Sequence, residues 1–137
     1  MDKILSKTPE TPFFVPIFDT MDNLYLSKDH PFEFLALEDI KLSLNFLQAY
    51  TGSAATFNAY RRDLERFLQW SEKICNKSLK DLKRNDIEDF IYFCQKPPKD
   101  WIGLQKVSRF ITKDGERIPN PLWKPFMAVI PKSATKK

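Results

Sequence analysis

The stretch SAATFNAYRRDLERFLQWSEKICNKS, residues 53–78, constrains the fold of this chain more than any other. Phe57, Tyr60, Leu64, Phe67, Leu68, Ser71, Ile74 and Cys75 recur at the i, i+3, i+4 spacing that gathers side chains on one side of an α-helix. Asn58, Arg62, Glu65, Gln69, Glu72 and Lys73 fall away from that stripe and read as the solvent side. Ser53 is a good N-cap, because its hydroxyl can accept from the open amides of the first turn. The spacing therefore predicts a helix over roughly 54–76.

A helix with one apolar side needs neighbours, and the flanking sequence supplies two. LEDIKLSLNFLQAYTG predicts a helix near 38–50, with Ile40, Leu44, Phe46 and Leu47 as its stripe and Gly52 as its stop. NDIEDFIYFCQK predicts a third near 85–96, with Ile87, Phe90, Ile91 and Cys94 facing inward. Asn85 and Glu88 resemble a capping box, and Asp86, Glu88 and Asp89 suit the positive end of the helix dipole. Pro97 and Pro98 end it, and the LKDLKR connection keeps Leu79 and Leu82 for the core.

Elsewhere proline breaks every periodic pattern. Pro9, Pro12, Pro16 and Pro31 punctuate residues 1–35, yet PFFVPIFD is too apolar for a free tail. An ordered arm laid across the helices is expected, with a short edge strand near Phe13–Ile17. Beyond residue 96, RFITKDGERI sets Asp114-Gly115 symmetrically between Ile111 and Ile118, the signal of a two-residue β-hairpin turn near 109–118. PNPLWKPF reads as extended chain docked on the domain. The expected fold is mainly α, a small helical bundle at 36–96. An ordered arm at 1–35 precedes it, a hairpin and extended segment at 97–130 follow, and a disordered tail at 131–137 closes the chain.

Composition narrows the function. With 42% hydrophobic residues, 12 Phe and 3 Trp in 137 residues, a real core can form. No apolar run approaches the ~20 residues that span a bilayer, and MDKILSKTPE lacks the long apolar segment of a secretory leader. Cys75 and Cys94 sit on apolar helix positions and read as buried, reduced thiols of a cytoplasmic protein. A single histidine, His30, and two distant cysteines offer no metal-ligand spacing, so neither metal nor cofactor is expected. Three scattered glycines make no phosphate loop, and no nucleophilic triad can be assembled around His30. An enzyme in its own right is therefore not the expectation.

The charge is uneven. The net +4 divides into −4 over residues 1–50, +1 over 51–95 and +7 over 96–137. A basic final third points to an anionic partner, as against a tail that only aids solubility. The start of the second helix suits such a partner. Gly52, Ser53, Ala54 and Ala55 are small and let another backbone come close, beside open amides and a partial positive charge. Thr56, Asn58, Arg61 and Arg62 follow, with Asn58 and Arg62 neighbours at i, i+4. Asn pairs with adenine and Arg with guanine in a major groove, and Arg also binds phosphate. The alternative is a solvated face with local pairs such as Arg61–Glu65 or Arg62–Glu65, and these residues alone leave the two readings even.

A wider pattern bears on the choice. Ser53, Thr56, Tyr60, Asp63-Leu64, Phe67, Trp70, Leu79, Leu82, Asp86-Ile87 and Phe90 form an ordered set over some forty residues. That set resembles the N-terminal core-binding (SAM-like) domain of the tyrosine recombinases, the phage-integrase family, over roughly 36–96. The resemblance implies a helical domain that clamps one face of duplex DNA, opposite a separate catalytic domain. The family's catalytic arginine, His-x-x-Arg motif and tyrosine nucleophile are not found here, since His30 is followed by PFE. A fourth, DNA-facing helix is not found either.

The expected role is thus the DNA-binding part of a site-specific recombinase or integrase, which does not catalyse strand exchange itself. Its implied partners are duplex DNA, the recombinase's own catalytic domain and other protomers on DNA. Its implied place is the prokaryotic cytoplasm, at the nucleoid when bound. Ser53, Thr56, Arg61 and Lys73 are the expected phosphate contacts, and Asn58 and Arg62 the expected base contacts. Lys96, Lys99, Lys106, Lys113 and Arg117 would add backbone contacts. The rival from another class is a protein-interaction module that exposes Trp101, Trp123, Phe126 and the aromatic arm.

Overall fold

The computed structural model describes residues 14–18 and 32–127. Most of the expected arm, His30 and the expected tail lie outside the described residues. The chain divides into two compact units, one of Pro16–Lys96 and one of Pro97 onward with the residues up to Val15.

The first unit is helical, in line with the expected mainly α class. It contains α1 (Leu37–Gln48), α2 (Ala54–Trp70) and α3 (Arg84–Gln95). Among the described residues, no helix is long and apolar enough to cross a membrane. Ser53 caps α2, its Oγ accepting the Thr56 amide at 3.3 Å. α1 ends earlier than expected, with Ala49 in the cap position. Gly52 lies beyond it and does not adopt a positive φ, so the stop does not depend on glycine's freedom.

The expected last turns of the second helix are not α-helical. Ser71–Cys75 wind as a π-helical turn, and Asn76 closes it in the left-handed region at φ 57°, ψ 48°. Asn tolerates that conformation better than most side chains. Its Nδ2 donates to the Glu72 carbonyl at 3.1 Å, and Ser71 Oγ donates to the Lys77 carbonyl at 2.7 Å.

α3 starts one residue early and takes a different cap. The capping carboxylate is Asp86, whose Oδ2 accepts the Lys83 amide at 2.9 Å, so the expected Asn85–Glu88 box is displaced. Asp86 Oδ2 also accepts Lys77 Nζ at 2.8 Å, which ties the end of α2 to the start of α3. The Lys77 hydrogen bond, and then the Lys83 amide, hold the Asp86 carboxyl below its ordinary 3.8. A depressed carboxylate stabilises the fold above its unfolded value, and that support is lost as pH falls through the folded value. Asp86→Asn should therefore flatten the acid limb of a stability-versus-pH curve below about pH 4. An unchanged acid limb in denaturant titrations would show that the pair is only decorative.

The core of this unit is Ile17, Phe18, Leu35, Ile40, Leu47, Phe57 and Leu68, with Phe32, Leu44, Leu64 and Leu79 packed against it. The rings of Phe67, Trp70 and Phe90 lie 5.0–6.3 Å apart and join α2 to α3. Several residues of the expected stripes are not covered: Phe46, Tyr60, Ile74, Ile87 and Ile91 are all exposed. Phe46, Tyr50 and Tyr60 instead form a surface ring cluster with centroids 4.8–5.8 Å apart. Periodicity identifies the apolar side of a helix, but not how much of that side a neighbour covers.

The largest departure concerns the side of α2 expected to face solvent. Glu65, Gln69 and Glu72 are buried there, Glu65 to 1% exposure. Glu65 Oε2 accepts the amides of Ile17 at 2.8 Å and Phe18 at 3.0 Å. Glu72 accepts the amides of Glu33, Phe34 and Leu35 at 2.6–2.9 Å. Residues 17–18 and 33–35 are thus fastened to α2 and the turn that follows it by two carboxylates. Their amides are taken by side chains instead of a sheet, and residues 14–18 form no strand.

The second unit contains β1 (Ile102–Gly103), β2 (Phe110–Lys113), β3 (Glu116–Pro119) and β4 (Phe126–Met127). β2 and β3 form the expected hairpin, with Ile111 opposite Ile118 and Lys113 opposite Glu116. Asp114 at φ 53° and Gly115 at φ 78° supply the two left-handed residues that a type I′ turn requires. PNPLWKPF is more than extended chain. Asn120 is buried, donates from Nδ2 to the Ser108 carbonyl at 2.8 Å, and accepts the Leu122 amide at 3.0 Å. β4 then pairs in parallel with β1.

Trp101 and Phe126 are buried, with the Phe14 ring edge-on to Trp101 at 4.7 Å, and Trp123 is half-buried under Arg109. Trp101 and Phe126, two of the aromatics expected on the surface of an interaction module, are therefore core, while most of the aromatic arm lies outside the described residues. Cys75 and Cys94 are unbridged and only partly buried, less sheltered than their helix positions suggest.

Candidate nucleic-acid interface

The open start of α2 is where the sequence-derived candidates converge. Ser53, Ala54, Ala55, Asn58 and Arg62 are all exposed, and Thr56 is half-exposed. Residues 58 and 62 stand one turn apart on the same face. The Ser53 hydroxyl is occupied by the cap and also lies 3.2 Å from the Thr56 hydroxyl. Two further amides of the first turn, those of Ala54 and Ala55, sit at the positive end of a seventeen-residue helix. A phosphate placed there would meet small side chains and backbone donors.

Arg61 and Arg62 are adjacent in sequence and have opposite surroundings. Arg61 Nη1 donates to Glu65 Oε1 at 3.1 Å, and its side chain is only 14% exposed. The guanidinium is drawn toward the middle of α2, away from the helix start, and neutralises the carboxylate that holds Ile17 and Phe18. This is the local pair that the sequence alone could not decide, and it turns Arg61 toward the fold. Arg62 is 53% exposed and has only a long approach to Asp63, 3.7 Å from Nε to Oδ1.

Lys73 lies eleven residues beyond Arg62, about 16 Å along the axis. It sits in the π turn, half-buried. Burial holds its ammonium below the ordinary lysine value, partly offset by Glu72 beside it. It does not join the cluster at the helix start. Arg66, which the sequence reading passed over, lies nearer. It is one turn past Arg62 on the same face and 3.8 Å from Asp63 Oδ1. Its i+4 spacing from Arg62 was the available signal.

The remaining cations are spread out. Lys96 is exposed just past the end of α3. Lys99, Lys106, Lys113 and Arg117 belong to the second unit and are all exposed. On the hairpin, alternation of side chains puts Lys113 and Arg117 on opposite faces. Lys113 faces Glu116 across the ladder, while the Arg117 guanidinium lies over the Phe110 ring at 4.7 Å. The hairpin is therefore not a uniform basic ribbon.

Residues 40–100 match the family model of the phage integrase N-terminal, SAM-like domain. The matched segment begins at the fourth residue of α1 and includes α2 and α3. No curated protein and no solved structure matches the chain. The match supports a recombinase-related role for this segment.

Proposed function

We propose that the helical unit binds duplex DNA at the start of α2, as the N-terminal part of a site-specific recombinase or integrase. The observation that carries this reading is the exposed set Ser53, Asn58 and Arg62 around an open helix start, inside a segment that matches an integrase domain. The amides of the first turn, with Ser53 and Thr56, meet phosphate. Asn58 and Arg62 face the groove, and Lys73, Lys96, Lys99, Lys106, Lys113 and Arg117 add sequence-independent attraction. Arg61 braces the helix from within. In this reading strand cleavage belongs to a separate catalytic domain of the same recombinase. The rival reading needs Trp101, Trp123, Phe126 and the aromatic arm on the surface; Trp101 and Phe126 are buried and Trp123 is half-buried.

The test is charge reversal at Arg62. Arg62→Glu should leave folding within ~0.5 kcal/mol of the parent, because the side chain is mostly exposed. It should weaken binding to a duplex about tenfold or more at low salt and flatten the salt dependence, since fewer counterions are released. Lys80→Glu, an exposed reversal in the turn before α3, is the matched control. Titrations at two salt concentrations decide the matter: an Arg62→Glu protein that binds like the parent, or no worse than Lys80→Glu, defeats the proposed face.

A further inference from the structure

We propose that the ring cluster of Phe46, Tyr50 and Tyr60 is a second contact surface for the same duplex, one that packs on the sugar–phosphate backbone without ionic pairing. The proposal rests on the DNA reading above and adds to it a salt-independent part of the affinity.

The cluster bridges the end of α1 and the second turn of α2. Tyr60 lies edge-on to Tyr50 at 4.8 Å between ring centroids, and Phe46 is 5.3 Å from Tyr50 and 5.8 Å from Tyr60. The rings are not closed off as a core is: Phe46 remains 48% exposed and Tyr60 40%. Leu42, one turn before Phe46 on α1, is 63% exposed and extends the same apolar surface. Contiguous exposed apolar surface of this kind marks a contact.

Two features point to a polyanion as the occupant. From Ile40 to Arg62 the sequence holds no Asp or Glu, although 18 are spread over its 137 residues. Lys41 and Arg62, both exposed, stand within that span, and the carboxylates that flank it are Asp39, buried in the α1 cap, and Asp63. A second copy of the chain requires no such exclusion of carboxylates, whereas a row of phosphates does. The other feature is the phenol groups. Among the described residues, neither the Tyr50 nor the Tyr60 hydroxyl has a hydrogen-bond partner. A phenol O–H is a donor of the kind that positions phosphate oxygens.

The helix also places the rings well. At 3.6 residues per turn, Tyr60 stands about 160° round the axis of α2 from Asn58, on its opposite shoulder. An α-helix about 10–12 Å across nearly fills a major groove about 12 Å wide. A duplex entered by the Asn58 and Arg62 shoulder therefore brings a backbone strand against the Tyr60 shoulder. There the rings pack on deoxyribose, and the Tyr60 hydroxyl donates to a phosphate.

The experiment titrates the full chain and four variants, Phe46→Ala, Tyr60→Phe, Arg62→Glu and Ile91→Ala, with a short duplex of arbitrary sequence at two salt concentrations. Ile91 is 56% exposed on α3 and controls for the loss of exposed apolar surface. Phe46→Ala should weaken binding about three- to tenfold, by the same factor at both salts, because a contact without charge releases no counterions. Tyr60→Phe keeps the ring and its packing, and should weaken binding about two- to fivefold in the same salt-independent way. Ile91→Ala should bind like the parent. The contact is overturned if both ring variants bind like the parent, if their losses change with salt as that of Arg62→Glu does, or if Ile91→Ala loses as much.

Ring signals give a reading that needs no variant. The Phe46 and Tyr60 ring protons should shift on adding duplex and show nuclear Overhauser contacts to deoxyribose protons. Ring shifts that follow protein concentration without DNA, with a dimer that Phe46→Ala dissociates, overturn the proposal in favour of a surface for a second copy. A parent that binds no duplex removes the DNA reading and this contact together. Binding that responds to Arg62→Glu and not to the ring variants removes the contact alone.

Discussion

Glu65→Ala should unfold the helical unit under conditions where Arg62→Ala leaves it intact. Glu65 is 1% exposed and accepts two backbone amides and the Arg61 guanidinium. Alanine would leave the amides of Ile17 and Phe18 without that acceptor, and would leave a largely buried guanidinium without its carboxylate. Removing one partner of a buried ion pair destabilises by about 3–5 kcal/mol. Small domains are held by about 5–15 kcal/mol in all, so much of the total is at stake. Urea titration would measure it, and amide exchange at Ile17 and Phe18 would locate it. A loss below about 1 kcal/mol would mean that water replaces the carboxylate and that the clasp is incidental. Arg61→Ala should approach the same loss, which separates its role from that of Arg62.

Glu72→Ala is the second large effect. Three consecutive amides, those of Glu33, Phe34 and Leu35, converge on this one carboxylate at 2.6–2.9 Å. Each partly buried donor left without a partner costs about 1–3 kcal/mol, so a loss of about 3 kcal/mol is expected after local rearrangement. Glu72→Gln should lose roughly half as much, because the neutral amide keeps one oxygen acceptor but gives up the charge assistance. Exchange should accelerate at residues 33–35 and not at Ile17 and Phe18, where Glu65 still holds. Equal acceleration at both places would show that the segment is fastened as a single unit. The two carboxylates stand two turns apart and hold separate stretches, so their effects should add within about 0.5 kcal/mol.

These carboxylates show why part of the site was illegible. Arg61 and Arg62 are indistinguishable by type, and both fall within the first two turns of α2. What divides them is Glu65, a residue the helical period assigned to solvent. It is buried where Ile17 and Phe18 present their amides to it. Those amides come from 47 and 48 positions away in sequence, and for Glu72 from 37 to 39. A pattern rule that looks three or four residues ahead has no access to such a partner. The same limit explains Phe46, Tyr60, Ile87 and Ile91, read as core from spacing and found exposed. It explains Trp101 and Phe126 in reverse: prolines and charges surround them in sequence, while Phe14 packs on Trp101 and Trp101 on Phe126 in space.

By itself, the sequence determined what depends on near neighbours. Three helices follow from the 3.6-residue period, and the start of α2 from the Ser53 cap. The hairpin follows from the left-handed tolerance of Asp114-Gly115. The ordered pattern from Ser53 to Phe90 was enough to point to the integrase domain that residues 40–100 match. Each of these rests on interactions spanning a few residues, or on residue types read in order. Only the tertiary structure decided which charges are spent inside the fold. Glu65 and Glu72 hold the amides of residues 17–18 and 33–35, and Arg61 pairs with Glu65, while Asn58, Arg62 and Asp63 remain at the surface. The physical reason is that burying a charge depends on its partners: a carboxylate leaves water only where other polar groups replace it, and here the amides that do so come from a distant part of the chain.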